Sequence, residues 1–147
     1  MNERPLQTLG EILGTLHAVE IRLEAALEPI GLSLAKFKAL HTLVTAGEPL
    51  PLRTLAEECA CVRSNITQLV DRLEAEKLVA RADDPKDRRS ILAELTNEGR
   101  ARYKAGARAL QAAENELLSG MSKTQREALL GLLRSLRAGA GVEAPAR

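Results

Sequence analysis

The sequence predicts a mainly α-helical protein of about six helices with one small β-hairpin, and three observations carry that prediction. Apolar residues recur at three- and four-residue spacing over several long stretches, the pattern of helices with one buried face. Two short β-prone runs, residues 78–81 and 90–95, flank the polar, Pro-containing segment ADDPKDRR. Breakers fall between these stretches, at Pro29 and Gly31, at Gly47-Glu48-Pro49 and at Ser119-Gly120.

The elements follow in order. Leu9, Leu13, Leu16, Leu23 and Leu27, widened by Ile12, Val19 and Ala26, predict a first helix from Leu6 to about Leu27. Its apolar surface lies on more than one side, so it needs a partner, and a second subunit is the expected one. Ser33 is placed to N-cap a second helix, Leu34 to Thr45, burying Leu34, Phe37, Leu40, His41 and Val44. His41 is expected to be a packed core histidine. Pro51 suits the first turn of a short helix, Leu52 to Glu58, with Leu52, Leu55 and Ala56 inside.

From Val62 to Glu76 or Lys77, Ile66, Leu69, Val70 and Leu73 fall at i, i+3, i+4 and i+7. The opposite face centres on Ser64, Gln68 and Asp71, flanked by Asn65, Thr67 and Arg72. Ala60 stands where Gly would turn most easily and Val62 where Ser or Thr would cap, so a weak cap is expected. Leu78–Arg81 and Ser90–Leu95 predict two strands joined by a loop, Ala82–Arg89: a hairpin with an extended tip. Thr96 is placed to cap a long helix, Asn97 to Leu118, with Tyr103, Ala107, Leu110 and Leu117 on one face. Ser122 with Gln125 makes a capping box for a last helix, Lys123 to Arg137, apolar through Leu129, Leu130, Leu132, Leu133 and Leu136. The stretch 139–147 lacks periodicity and is expected to be mobile.

Composition narrows the function. The 147 residues, 45% apolar and 28% charged, suit a single soluble globular domain with a sizeable core. No apolar run approaches a membrane span and MNERPLQTLG lacks signal-peptide features, so no membrane partner and a cytoplasmic location are expected. Net charge is only +1, and between Arg63 and Arg89 bases and acids nearly balance, so any hold on a polyanion depends on placement of charge. One Phe, one Tyr and no Trp argue against single-strand binding by base stacking. Both histidines fall in apolar helical settings and no nucleophile–base or metal constellation appears, so neither enzyme, cofactor nor metal is expected.

A short helix, a tight turn, a helix with a polar outer face and a hairpin together make a winged helix-turn-helix. Arg, Ser, Asn, Thr and Gln side chains on that outer face suit reading of base edges in double-stranded DNA. A bidentate Gln68–adenine pair would give about 1–3 kcal/mol of discrimination. Such reading heads usually meet palindromic DNA as a two-fold pair, so a homodimer is expected.

The run LAEECACVRSNITQLVDRLEAEKLVARADDPKDRRSILAELTNEG, Leu55 to Gly99, resembles the MarR family of bacterial winged-helix transcription regulators. Asp87-Arg88-Arg89, followed by an apolar strand and Leu95-Thr96, is the most specific part of the likeness. The resemblance implies dimerisation helices at about 1–32 and 97–138 around a winged helix-turn-helix at about 33–96, all in one chain of 1–147. It implies a repressor whose DNA-facing positions are Arg63, Ser64, Asn65, Thr67 and Gln68, although family members often carry Arg near Gln68. In the wing, the family's arginine falls on Arg89, with Asp87 orienting it by a salt bridge and Arg88 and Lys86 beside it for phosphate. Many members release DNA when a small molecule acts, and an effector pocket here would draw on Leu13, Leu16, His17, Phe37 and His41. Cys59 and Cys61 replace apolar residues of the family pattern, which implies packing. A thiol-based redox sensor using both, and a winged-helix module that binds protein, are the alternative readings.

Overall fold

A computed structural model describes residues 6–59 and 63–142, with Arg63 and Ser64 described in backbone only. The helices are α1 (Gln7–Leu27), α2 (Leu34–Ala46), α3 (Leu52–Glu58), α4 (Arg63–Ala75), α5 (Asn97–Leu117) and α6 (Lys123–Gly139). The strands are β1 (Leu50–Pro51), β2 (Val79–Asp84) and β3 (Asp87–Leu95), and one 3-10 turn, Glu28–Ile30, follows α1. The predicted class is the observed one. The chain divides into two compact units, Met1–Gln111 and Ala112–Arg147.

In the first unit, caps set the helix starts. Ser33 Oγ accepts the Lys36 amide at 3.2 Å, as its position predicted, and Glu24 of α1 accepts the Leu34 amide at 3.2 Å. A carboxylate there also offsets the positive end of the α2 dipole. Thr96 Oγ1 accepts the Gly99 amide at 2.9 Å and donates to the Lys77 carbonyl at 2.7 Å, so the α5 cap also fastens the end of α4.

Two departures from the sequence reading concern strands. Leu50 and Pro51 pair with Ala93 and Leu92 of β3, giving a three-stranded antiparallel sheet in the order β1-β3-β2. A strand of two residues has no periodicity to detect, and proline is tolerated because β1 is an edge. The wing is also more regular than expected. Pairing continues from Val79↔Leu95 to Asp83↔Ile91 and resumes at Asp84↔Asp87 after an irregularity, so most of the 82–89 segment is strand. Backbone pairing across the hairpin overrides the polar composition that marked it as loop.

The core of this unit gathers Leu27, Leu40, Leu55, Ile66, Leu73, Leu78, Val70 and Val79, all fully buried. On α2 the buried residues are Ala39, Leu40 and Leu43, whereas His41 is exposed and Val44 half-buried. His41 lies about 100° round the helix from Leu40, and the core-facing arc runs the other way. The expectation of a buried His41 is therefore corrected. Its ring instead flanks Phe37 and Tyr103, with Nδ1 2.9 Å from Tyr103 Oη and Phe37 stacked on Tyr103 at 5.3 Å.

The second unit is built on the capping box. Ser122 Oγ accepts the Gln125 amide at 3.2 Å and Gln125 Oε1 accepts the Ser122 amide at 2.8 Å, as predicted. Helix α6 buries none of its residues, and Leu130, Leu132, Leu133 and Leu136 are exposed. Residues 143–147 of the predicted mobile stretch lie outside the described residues, and 139 closes α6.

Two backbone positions can be tested. A Cβ at Gly99 would sit 2.0 Å from the Leu78 carbonyl oxygen, so Gly99→Ala is expected to cost about 1–3 kcal/mol, read as a lower urea midpoint. Lys77 holds φ 61 at the end of α4. Lys77→Gly removes the left-handed penalty of about 1 kcal/mol and is expected to raise the melting temperature.

Candidate nucleic-acid interface

Helix α4 separates its faces cleanly. Ile66, Val70 and Leu73 are fully buried and Leu69 nearly so, while Asn65, Thr67, Gln68, Asp71 and Arg72 are exposed. Four buried apolar anchors fix the helix about its own axis, so the polar residues present a defined face. Short α3 neighbours α4 and buries Leu55 and Ala56 in the same core. Arg63 and Ser64 open the helix, and their side chains lie outside the described residues, as do Ala60, Cys61 and Val62 of the expected weak cap.

The helix ends in a motif that hands the chain to the wing. The Leu78 amide donates to the Leu73 carbonyl at 2.9 Å and the Lys77 amide to Glu74 at 2.9 Å, the paired bonds of a Schellman turn. Leu73 and Leu78, both fully buried, make the hydrophobic contact that accompanies it. Strand β2 leaves directly from this turn, so the wing's root is fixed to the helix end.

At the wing tip two aspartates shape the turn. Asp84 Oδ1 accepts the Lys86 amide at 2.9 Å and Asp87 Oδ1 accepts the Arg89 amide at 3.0 Å. Asp87 thus organises Arg89 through its backbone, where a side-chain salt bridge was expected. Among the described residues the carboxylate makes no ion pair with the guanidinium, which leaves Arg88 and Arg89 exposed beside Lys86. Aspartate side chains commonly bond the backbone two residues on, which is the geometry seen at both positions.

Between helix and wing lies a contact the sequence reading missed. The Arg81 guanidinium donates to Glu74 Oε1 at 3.0 Å, to Asp71 Oδ1 and, more weakly, to the Thr67 carbonyl at 3.4 Å. Its amide donates to Glu74 Oε2 at 3.0 Å. Burial opposes its charge, yet hydrogen bonds and attraction from Asp71 and Glu74 outweigh that and hold its pKa above the ordinary value. A signal was present: acids in the last turns of a helix are disfavoured by the dipole, so Asp71 and Glu74 call for a nearby cation.

In sequence and fold the chain is similar to known proteins. The sequence pattern described as MarR family covers residues 30–90. The HTH-type transcriptional regulator PecS of Dickeya dadantii is 32% identical over 141 residues, 88% of this chain and 85% of PecS. The chain belongs to the MarR family. A MarR-family transcriptional regulator from Rhodococcus sp. RHA1 superposes with a TM-score of 0.79 at 27% identity, over 92% of this chain and 96% of that one. CouR from Rhodococcus jostii RHA1, solved bound to p-coumaroyl-CoA, gives a TM-score of 0.75 at 28% identity, over 92% and 95%. For YkoM and YhbI, two HTH-type transcriptional regulators of Bacillus subtilis, the match spans 44% and 66% of the relative's length.

Of the remaining predicted residues of this MarR-family chain, Leu13, Leu16 and His17 lie on α1 and Phe37 and His41 on α2. His17 lines an open groove of about 980 Å³ with Glu20, Ile21, Glu24 and residues 31–36. Leu13 and Leu16 are exposed on α1, and Phe37 and His41 belong to the Tyr103 cluster. Cys59 is buried, with Sγ 3.6 Å from Thr42 Oγ1, and Cys61 lies outside the described residues. Among the described residues no group of three His, Cys, Asp or Glu side chains is placed to hold a metal ion, and no helix is long and apolar enough to cross a membrane.

The wing-tip turn makes its own prediction. Asp84→Ala and Asp87→Ala each remove one acceptor, so the Lys86 and Arg89 amides respectively should exchange hydrogen faster, with core amides unchanged.

Proposed function

We propose that this MarR-family protein is a sequence-specific regulator of transcription that binds double-stranded DNA as a homodimer. It acts in the cytoplasm, represses from a pseudo-palindromic operator, and is not an enzyme. The observation that carries this reading is the two-faced α4, anchored by Ile66, Leu69, Val70 and Leu73 and exposing Asn65, Thr67, Gln68, Asp71 and Arg72 opposite. Helix α4 lies in the major groove, where Arg63, Ser64, Asn65, Thr67 and Gln68 face base edges and phosphates. Arg89 enters the neighbouring minor groove, whose negative potential favours a guanidinium, with Lys86 and Arg88 on phosphates and Asp87 holding the turn.

The apolar faces at the termini support the homodimer. Leu9, Leu13, Leu16 and Ile21 on α1 are exposed, and so is the leucine face of α6. Apolar surface on this scale needs cover in water, and a second copy supplies it by symmetry. Release by a small molecule is supported by the groove beside His17 and by the ligand-bound state of CouR. A ligand preferring a dimer with wrongly spaced reading heads lowers DNA affinity by shifting populations.

Selection of bound fragments from genomic DNA tests the reading and should return half-sites about one helical turn apart. On the recovered operator, Arg89→Ala should weaken binding roughly ten-fold and, with one guanidinium lost from each subunit, lower the salt slope by about 1.8. Its melting temperature should stay unchanged, because Arg89 is exposed. Equal affinity would sink the wing assignment. Leu133→Glu should shift the sedimenting species from dimer toward monomer, and operator binding should fall with it.

A further inference from the structure

Arg81 lies outside both the polar face of α4 and the wing tip, and its bonds tie strand β2 of the wing to α4. Across the sheet it is registered with Ala93 of β3. Its side chain leaves the sheet to reach Thr67, Asp71 and Glu74, residues at i, i+4 and i+7 and so on one side of α4. Both oxygens of Glu74 are engaged by this one residue, one by the guanidinium and one by the backbone amide. A planar fork with several donors suits this set of acceptors, whereas a lysine ammonium is a single point.

The Schellman turn at Lys77 and Leu78 holds the wing's root, and Arg81 adds a second fixed point further along β2. The pairing of Ala93 and Leu92 with β1 and the Thr96 bonds to Lys77 and Leu78 also hold the root, and Arg81 ties β2 itself to the face of α4. At about 3.3 Å per residue, a hinge of about 10° at Leu78 would displace the tip by about 4 Å, more than a hydrogen bond tolerates. The same contact occupies the Asp71 and Glu74 carboxylates, which would otherwise stand unpaired beside a polyanion.

We infer that Arg81 is the positioning residue of the DNA-reading surface, locking the wing hairpin to the recognition helix at a fixed angle and holding two carboxylates away from the phosphates. This rests on the DNA-binding reading above. Arg81 itself meets protein acceptors rather than DNA.

The test compares full-length protein, Arg81→Lys and Arg81→Gln by amide exchange over residues 79–95 and by affinity for the selected operator. Both variants should exchange faster in the wing at unchanged α2 protection, and both should bind about ten-fold more weakly. Arg81→Lys keeps the charge and guards against a folding failure, and its salt slope should equal that of the unaltered protein. Wing exchange like that of the unaltered protein would overturn the clamp. Full affinity in Arg81→Lys would overturn the positioning role and leave charge alone as the requirement. If the unaltered protein binds no DNA, the functional reading fails and this role with it, while faster wing exchange would still separate the clamp from its use.

Discussion

Leu78 is fully buried, and its two backbone groups tie three elements to one point. Its amide closes the end of α4 on Leu73, and its carbonyl accepts the Thr96 amide at 3.2 Å where α5 begins. Gly99 on α5 comes so close to that carbonyl that no side chain fits. Recognition helix, wing and α5 therefore share one anchor, and burial of the Leu78 side chain, with about 1.5–3 kcal/mol at stake, holds it in place. Lys77 takes the left-handed conformation that the turn needs, and the unfavourable backbone is outweighed by what the turn joins.

Electrostatics does the finer positioning. A chain of net charge +1 has no long-range field to draw in DNA, so local pairing decides which charges are presented. Arg81 neutralises Asp71 and Glu74, and Asp84 and Asp87 spend their acceptors on the wing backbone. Arg88, Arg89 and Lys86 are left exposed at the tip. The near balance of acids and bases along this stretch thus conceals an uneven placement, with Asp71, Glu74, Asp84 and Asp87 engaged by protein partners and Lys86, Arg88 and Arg89 exposed at the tip.

The aromatic content follows a similar economy of place. Phe37 and Tyr103 pack together with His41, where α2 meets the first half of α5. Gly106 leaves room for this cluster, since a Cβ there would stand 2.9 Å from Leu32 and 3.0 Å from Phe37. The groove beside His17 is a separate feature lined chiefly by α1 and the start of α2. Buried Cys59 packs next to Thr42, in keeping with the apolar role its place in the family pattern implies.

By itself the sequence determined the helices, the caps at Ser33, Thr96 and Ser122, the hairpin and the buried stripe of α4. Each of these is encoded within a few consecutive residues, by periodicity or by a side chain reaching its own backbone. Within the candidate site, the polar face of α4 and the basic wing tip were legible for the same reason. Tertiary structure alone decided what depends on residues far apart in the chain or on angles between elements. Edge strand β1 exists only because β3 offers it partners, and His41 left the core because the core-facing arc of α2 was set by its neighbours. Arg81 looked like one more strand residue until the fold brought β2 against α4. Its partners Thr67, Asp71 and Glu74 are spread over two turns of helix, and no local pattern in the strand records which side that helix will turn toward it.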